Sequence, residues 1–92
     1  MKVEQMDNES KGSFYVNVGT VKKAEMTYSW AGKDRIIIDH TEVDDSLRGQ
    51  GKGQDMIFAA VKFARSKNIS IIPLCPFARS VFNKHPEFKD VL

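Results

Sequence analysis

The sequence predicts an α/β domain of the α+β kind: a mixed, mostly antiparallel sheet whose elements run β-β-β-α-β-α. Three observations predict it. Apolar residues alternate at a period of two in two segments before residue 31 and a third strand-like run with three isoleucines follows, the spacing turns helical after residue 51, and a short β-branched run then leads into a helix opened by proline.

Residues 1–12 carry no periodic apolar pattern, so they read as a polar leader, either frayed and flexible or docked, to a single domain over residues 13–92. Phe14, Val16 and Val18 then alternate with Ser13, Tyr15 and Asn17, a strand closed by Gly19-Thr20. In the second strand Ala24, Met26, Tyr28 and Trp30 share one face and Glu25, Thr27 and Ser29 the other. Ala31-Gly32-Lys33-Asp34 turns the chain into a third, Arg35 to Val43, which contains Ile36-Ile37-Ile38. Strands in meander order form an antiparallel sheet with one buried face.

A helix beginning near Gly51 follows, because Ile57, Ala60, Val61 and Ala64 recur at helical spacing while Lys62, Arg65 and Lys67 fall elsewhere on the wheel. Asn68 stops it. Ile69 to Leu74 is too short for a helix and reads as a fourth strand, which Pro73 pushes toward an edge or a splayed position. Pro76 suits a first helical turn, Phe77, Val81 and Phe82 continue it, and His85-Pro86 ends it after Lys84.

Composition excludes several classes. Ninety-two residues, 41% hydrophobic and 28% charged, make one globular domain with a modest core. No apolar run is long enough to span a bilayer, and MKVEQMDNESKG has none of the apolar stretch of a signal peptide, so a cytoplasmic protein without a membrane partner is expected. A lone cysteine, Cys75, excludes an internal disulfide, and with two histidines it gives no metal-ligand spacing, so no metal is expected. The net charge of +2 is unevenly spread: residues 1–47 carry six basic and nine acidic side chains, residues 48–92 eight and three. A basic half favours an anionic ligand such as a nucleotide, a phosphate-bearing cofactor or a nucleic acid, unless the charges are simply a solvated surface.

The switch in charge falls at Arg48, which opens Arg48-Gly49-Gln50-Gly51-Lys52-Gly53-Gln54 between the third strand and the first helix. Alternate glycines there serve either a flexible turn or an anion that must reach the unpaired N–H groups of a helix start. Arg48 and Lys52 add charge, and Gln50 and Gln54 add neutral donors. The pattern is neither the P-loop nor the dinucleotide fingerprint.

Arg48-Gly49-Gln50-Gly51-Lys52-Gly53 does fit the R/Q-x-x-G-x-G/A signature of the GCN5-related N-acetyltransferases. Ala78-Arg79-Ser80-Val81-Phe82-Asn83-Lys84 is similar to that family's later AxxFYxK segment, and the run from Asp39 to Phe88 resembles its small single-domain branch. The resemblance implies a minimal form of that fold with a splayed strand pair. Acetyl-coenzyme A would be the cosubstrate, its pyrophosphate cradled by Arg48 to Gln54. Its pantetheine arm would lie in the gap between Ile38 to Val43 and Ile69 to Leu74, against the backbone of Thr41 and Val43. Phe77, Asn83 and Lys84 of the later helix complete the implied coenzyme-binding set. With only Gly19 to Val21 between the first two strands, the helices that cover the acceptor in larger members are missing, and the acceptor amine is unreadable.

Amine attack on a thioester needs proton removal, stabilisation of the oxyanion and a tolerated thiolate. Backbone N–H groups near Thr41 to Val43 could hold the oxyanion. His40 and Glu42 share a sheet face and either could take the proton; each also reads as an ordinary sheet residue or strand-end charge. Phe82 stands where many members have a tyrosine acid. Cys75, the N-cap of the last helix, is the substitute: a general acid, or a nucleophile that carries the acetyl group, beside the plainer reading of a small buried residue. Two other functions compete, a coenzyme sensor without turnover and a module for acidic peptides or nucleic acid. Against nucleic acid stand the modest charge and the lack of an aromatic residue in the basic loop.

Overall fold

The computed structural model describes residues 2–92. Its elements are β1 (Val3–Asp7), β2 (Lys11–Val18), β3 (Val21–Trp30), β4 (Arg35–Val43), a 3-10 turn (Asp45–Leu47), α1 (Lys52–Lys67), β5 (Ser70–Pro73), α2 (Pro76–Lys84) and a second 3-10 segment (Pro86–Val91). They form one five-stranded sheet in the order β1-β2-β3-β4-β5, antiparallel except for the parallel β4–β5 pair.

Alternation sets the pairing. Phe14 and Val16 stand opposite Met26 and Ala24, while Tyr28 and Trp30 face Ile38 and Ile36, so the apolar sets of neighbouring strands fall on one face. Onto that face α1 lays Met56, Ile57, Ala60, Val61 and Ala64, and α2 lays Ala78, Val81 and Phe82, all buried in one continuous core. The opposite face carries Tyr15, Glu25, Thr27, Ser29, His40 and Glu42, which are exposed or half-buried; Ser13 alone among its paired strand residues is buried. No helix among the described residues is long and apolar enough to cross a membrane.

The leader is docked, as a strand that the sequence did not reveal. Val3–Asp7 is an edge strand, with Val3 opposite Val16 and Asp7 opposite Gly12. Its signal was hidden because two of the residues turned toward the core side are polar: Gln5 and Asp7 both hydrogen-bond the hydroxyl of Tyr28. Met1, the first residue of that stretch, lies outside the described residues.

Two irregularities shape the functional end of the sheet. Thr27 pairs with His40 but Tyr28 with Ile38, leaving Asp39 as an extra residue in β4. Such a bulge bends the strand and reverses its alternation, so Thr41 and Val43 continue the core face of Ile36 and Ile38 while His40 and Glu42 turn to the open face. At the same level the β4–β5 ladder ends with Ile38 opposite Pro73. The Ile38 carbonyl accepts from both Leu74 N and Cys75 N, each at 3.2 Å, and β4 then runs on to Val43 without its parallel partner. This is the splayed pair that the resemblance implies.

Candidate active site

The loop between β4 and α1 is built before any ligand is considered. Asp44 accepts from Ser46 N at 3.0 Å and caps the 3-10 turn; hydrogen bonds from Ser46 hold its carboxyl below the usual range. Leu47 anchors the turn in the core. Gly49 and Gly51 then take the left-handed region, at φ 80° and 72°, which a residue with a Cβ enters only with strain. At neither would a Cβ meet another atom within 4 Å, so the backbone there is open to solvent and to a ligand.

The start of α1 has no side-chain cap, and its first backbone bond runs from Asp55 N to Gly51 O. The N–H groups of Lys52, Gly53 and Gln54 therefore lack intrahelical acceptors and carry the positive end of the helix dipole. Side-chain donors are less free than their sequence suggests. Arg48 Nε lies 2.8 Å from Asp45 Oδ1, Lys52 Nζ 3.6 Å from Asp55 Oδ2, and Gln50 Nε2 donates to Ser46 O at 3.2 Å. Gln54 Nε2 lies 3.1 Å from His85 Nε2, whose other ring nitrogen meets Glu87 at 3.0 Å. Hydrogen bonding to His85 holds the Glu87 carboxyl below its ordinary range. His85 escaped the sequence reading because His-Pro looked like a helix stop and nothing more.

Gly53 has a different task from its two neighbours. It is buried, and a Cβ there would stand 2.7 Å from the Phe77 ring. Its smallness lets α1 and α2 meet, which places Phe77 beside the loop; Asn83 and Lys84 lie exposed toward the far end of α2.

Beyond the last β4–β5 pair, Thr41 Oγ1 and Cys75 Sγ are 3.4 Å apart, a side-chain contact across the gap where the backbones have parted. Cys75 is buried, is the N-cap of α2 and makes no capping bond with its side chain. His40 Nε2 lies 3.1 Å from Glu42 Oε1 on the opposite, exposed face. The predicted chemical groups thus fall into two pairs, one on each face of β4. Phe82 is core, edge-on to Phe88 at 6.2 Å. At the end of β4 a cleft of about 410 Å³ brings Thr41, Glu42, Val43 and Arg48 together with Lys22 and Lys23 of β3. Those two lysines were overlooked, although the doublet at the head of a strand was a visible signal.

Comparison with known proteins agrees with the fold. The profile of the GCN5-related N-acetyl-transferase family matches residues 13–91, and the chain belongs to that family. A GCN5-like protein from Staphylococcus aureus, solved by NMR, is 36% identical with a TM-score of 0.70, over 96% of this chain and 85% of that one. Protein NATD1 of Xenopus tropicalis is 26% identical over 68 residues, which are 74% of this chain and 62% of the frog protein; the match spans less than two thirds of that relative. A predicted acetyltransferase from Clostridium acetobutylicum, solved with acetyl-CoA, shares the fold at 17% identity, with a TM-score of 0.66 over 82% of this chain and 56% of that one.

Proposed function

We propose that the protein moves the acetyl group of acetyl-coenzyme A to an amine, with the coenzyme along the helix-covered side of β4 and the amine arriving from the open face. The observation that carries this reading is the exposed backbone at Gly49 and Gly51, where a Cβ would only fill empty space, at an uncapped helix start beside the splayed strands. That cradle fits a pyrophosphate, which would lie on the N–H groups of Lys52 to Gln54 with Arg48 at its rim. Thr41 and Val43 offer the edge of β4 to the pantetheine arm, and Phe77, Asn83 and Lys84 lie on the helix that flanks it.

When bound, acetyl-coenzyme A supplies an activated acyl group. The chain supplies the rest. Backbone N–H groups of Thr41 to Val43 polarise the acyl oxygen. His40 and Glu42, joined by one hydrogen bond on the open face, take the proton from the incoming amine. Cys75, on the coenzyme side, gives a proton to the departing sulfur or carries the acetyl group itself. Base and acid on opposite faces of one strand suit a reaction whose two substrates enter from opposite sides.

Melting curves with acetyl-coenzyme A, coenzyme A, ATP and an oligonucleotide test the binding, and thiol release with an amine panel tests turnover. Stabilisation by both coenzymes but not by ATP or oligonucleotide, with amine-dependent release, is the expected result. Coenzyme binding without release across the panel would leave a sensor in place of a transferase.

A further inference from the structure

The open face of the sheet holds a groove of about 330 Å³ that the coenzyme reading leaves unused. Ser13 lines it from the middle of β2, 2% exposed, and its Oγ has no hydrogen-bond partner. An enclosed hydroxyl without a partner is costly in a folded protein, and it is satisfied when a ligand supplies the missing group. Met6 stands opposite Ser13 on β1, 59% exposed, and its unbranched chain is free to swing aside.

The charges around the groove are arranged with opposite signs at its two ends. Glu25 and Asp39 line one side, and Asp39 accepts from Ser29 Oγ at 2.8 Å. Across β3 stands Lys11, directly opposite Ser29, with Asn8 beside it; Lys11 has no ion-pair partner among the described residues. Lys11 pairs with Ser29, and Asp39 lies two residues beyond Ile37, the partner of Ser29 on β4, so their backbones are about 12 Å apart, two strand spacings across and two residues along. The acidic end is the one near the chemistry: Asp39 is the bulged residue next to Ile38, where β4 and β5 part, and His40 faces Thr27 on the same side.

Resting on the transferase reading above, we propose that this groove is the acceptor site and that its substrate is an ω-amino acid or a lysine-like molecule. Its primary amine lies by Asp39 and Glu25, and its carboxylate by Lys11. A diamine of the same length would set its second cation against Lys11 and is disfavoured. In the transfer an N–C bond forms and the C–S bond breaks. The ammonium passes one proton through His40 and Glu42 to water, and the second proton finishes on the departing sulfur.

The test is an NMR titration of the isotope-labelled protein with ε-aminocaproate, hexylamine and hexamethylenediamine, followed by acetyl-coenzyme A. We expect ε-aminocaproate to shift the amides of Lys11, Ser13, Thr27 and Asp39 and to bind more tightly than either comparison amine. Lys11→Met should weaken ε-aminocaproate about fivefold and leave hexylamine unchanged, and Asp39→Asn should weaken both, each being an exposed charge contact. Both side chains are exposed, so neither variant threatens folding. Absence of amine-induced shifts on this face, or tighter binding of the diamine, overturns the proposal. Acetyl-coenzyme A reads the glycine loop in the same samples. If it leaves Gly49 to Gln54 unmoved while ε-aminocaproate still binds, the groove stands as a ligand site and the transferase reading falls.

Discussion

Tyr28 reaches across Gly12 and donates its hydroxyl proton to Asp7 Oδ2 at 2.6 Å, tying the third strand to the first over the top of the second. Gln5 Nε2 donates to the same hydroxyl at 2.9 Å, and Trp30 Nε1 reaches Asp7 at 2.9 Å. A Cβ on residue 12 would stand 2.4 Å from the tyrosine ring, so Gly12 is what permits the crossing.

Gly12→Ala should therefore cost about 1–3 kcal/mol, as overpacking does in a filled core. Tyr28→Phe keeps the ring but leaves Gln5 and Asp7 without their central partner, and should cost about 1–2 kcal/mol. Urea denaturation of both variants measures this. A Gly12→Ala protein as stable as the parent would show that β1 is not held by this tyrosine.

The same contact makes stability depend on pH at both ends of the scale. Burial opposes ionisation of Asp7, but hydrogen bonds from Tyr28, Glu9 N and Trp30 outweigh it and leave its carboxyl below the ordinary 3.8. Its contribution is complete above that value and is lost as pH falls through the lower folded value. Burial, and then the bond to Asp7, push the Tyr28 hydroxyl above its ordinary 10.0, so its contribution is complete below that value and is lost as pH rises beyond it. Asp7→Asn should flatten the acid limb of a stability profile, and Tyr28→Phe the alkaline limb. Limbs unchanged in these variants would assign the dependence elsewhere.

Gly51 and Gly53 should fail in different ways. Gly51→Val enters the left-handed region at a cost of about 1–2 kcal/mol and places methyl groups in the open cradle, so coenzyme affinity should drop at least about tenfold. Arg48→Ala should weaken coenzyme binding less, and chiefly at low salt. Gly53→Ala should instead lower stability, because its Cβ meets the Phe77 ring at 2.7 Å. Adding Phe77→Leu should restore part of that loss. Calorimetric titration beside thermal melts separates the two glycines, and a Gly51→Val protein that binds coenzyme like the parent would refute the cradle.

Cys75→Ala should reduce turnover by about 10²-fold with coenzyme affinity nearly unchanged. Mass spectrometry after exposure to acetyl-coenzyme A alone divides the two roles. An acetyl adduct that chases onto added amine marks a nucleophile; no adduct, with turnover lost, marks an acid. Thr41→Val should change either outcome by less, since it removes only the 3.4 Å contact to the sulfur. Full activity in Cys75→Ala would return the residue to the core.

How far the sequence could be read followed the kind of signal each residue leaves. Phe14 to Trp30 and the α1 stripe were legible because each buried position there is apolar, and Gly49 and Gly51 because positive φ demands glycine. β1 was illegible because Gln5 and Asp7 are bound inward by a tyrosine more than twenty residues away. The contact of Gln54 with His85 joins residues 31 apart and leaves no periodic trace. Gly53 was seen as part of the loop, but nothing local shows that Phe77 will stand over it and give it a second task. His40 and Glu42 were placed on one face by counting in twos, which holds past the bulge; that Cys75 meets Thr41 on the other face depends on where the bulge falls.

That single extra residue decides which chemistry faces which substrate. Pairing Asp39 in regular alternation, with no bulge, would shift the parity of the rest of β4: Thr41 and Val43 would exchange sides with His40 and Glu42, and the thiol would lose its hydroxyl neighbour. The strand behaves like a reading frame written in space, in which the bulge absorbs one extra residue and keeps the second half in frame with the core.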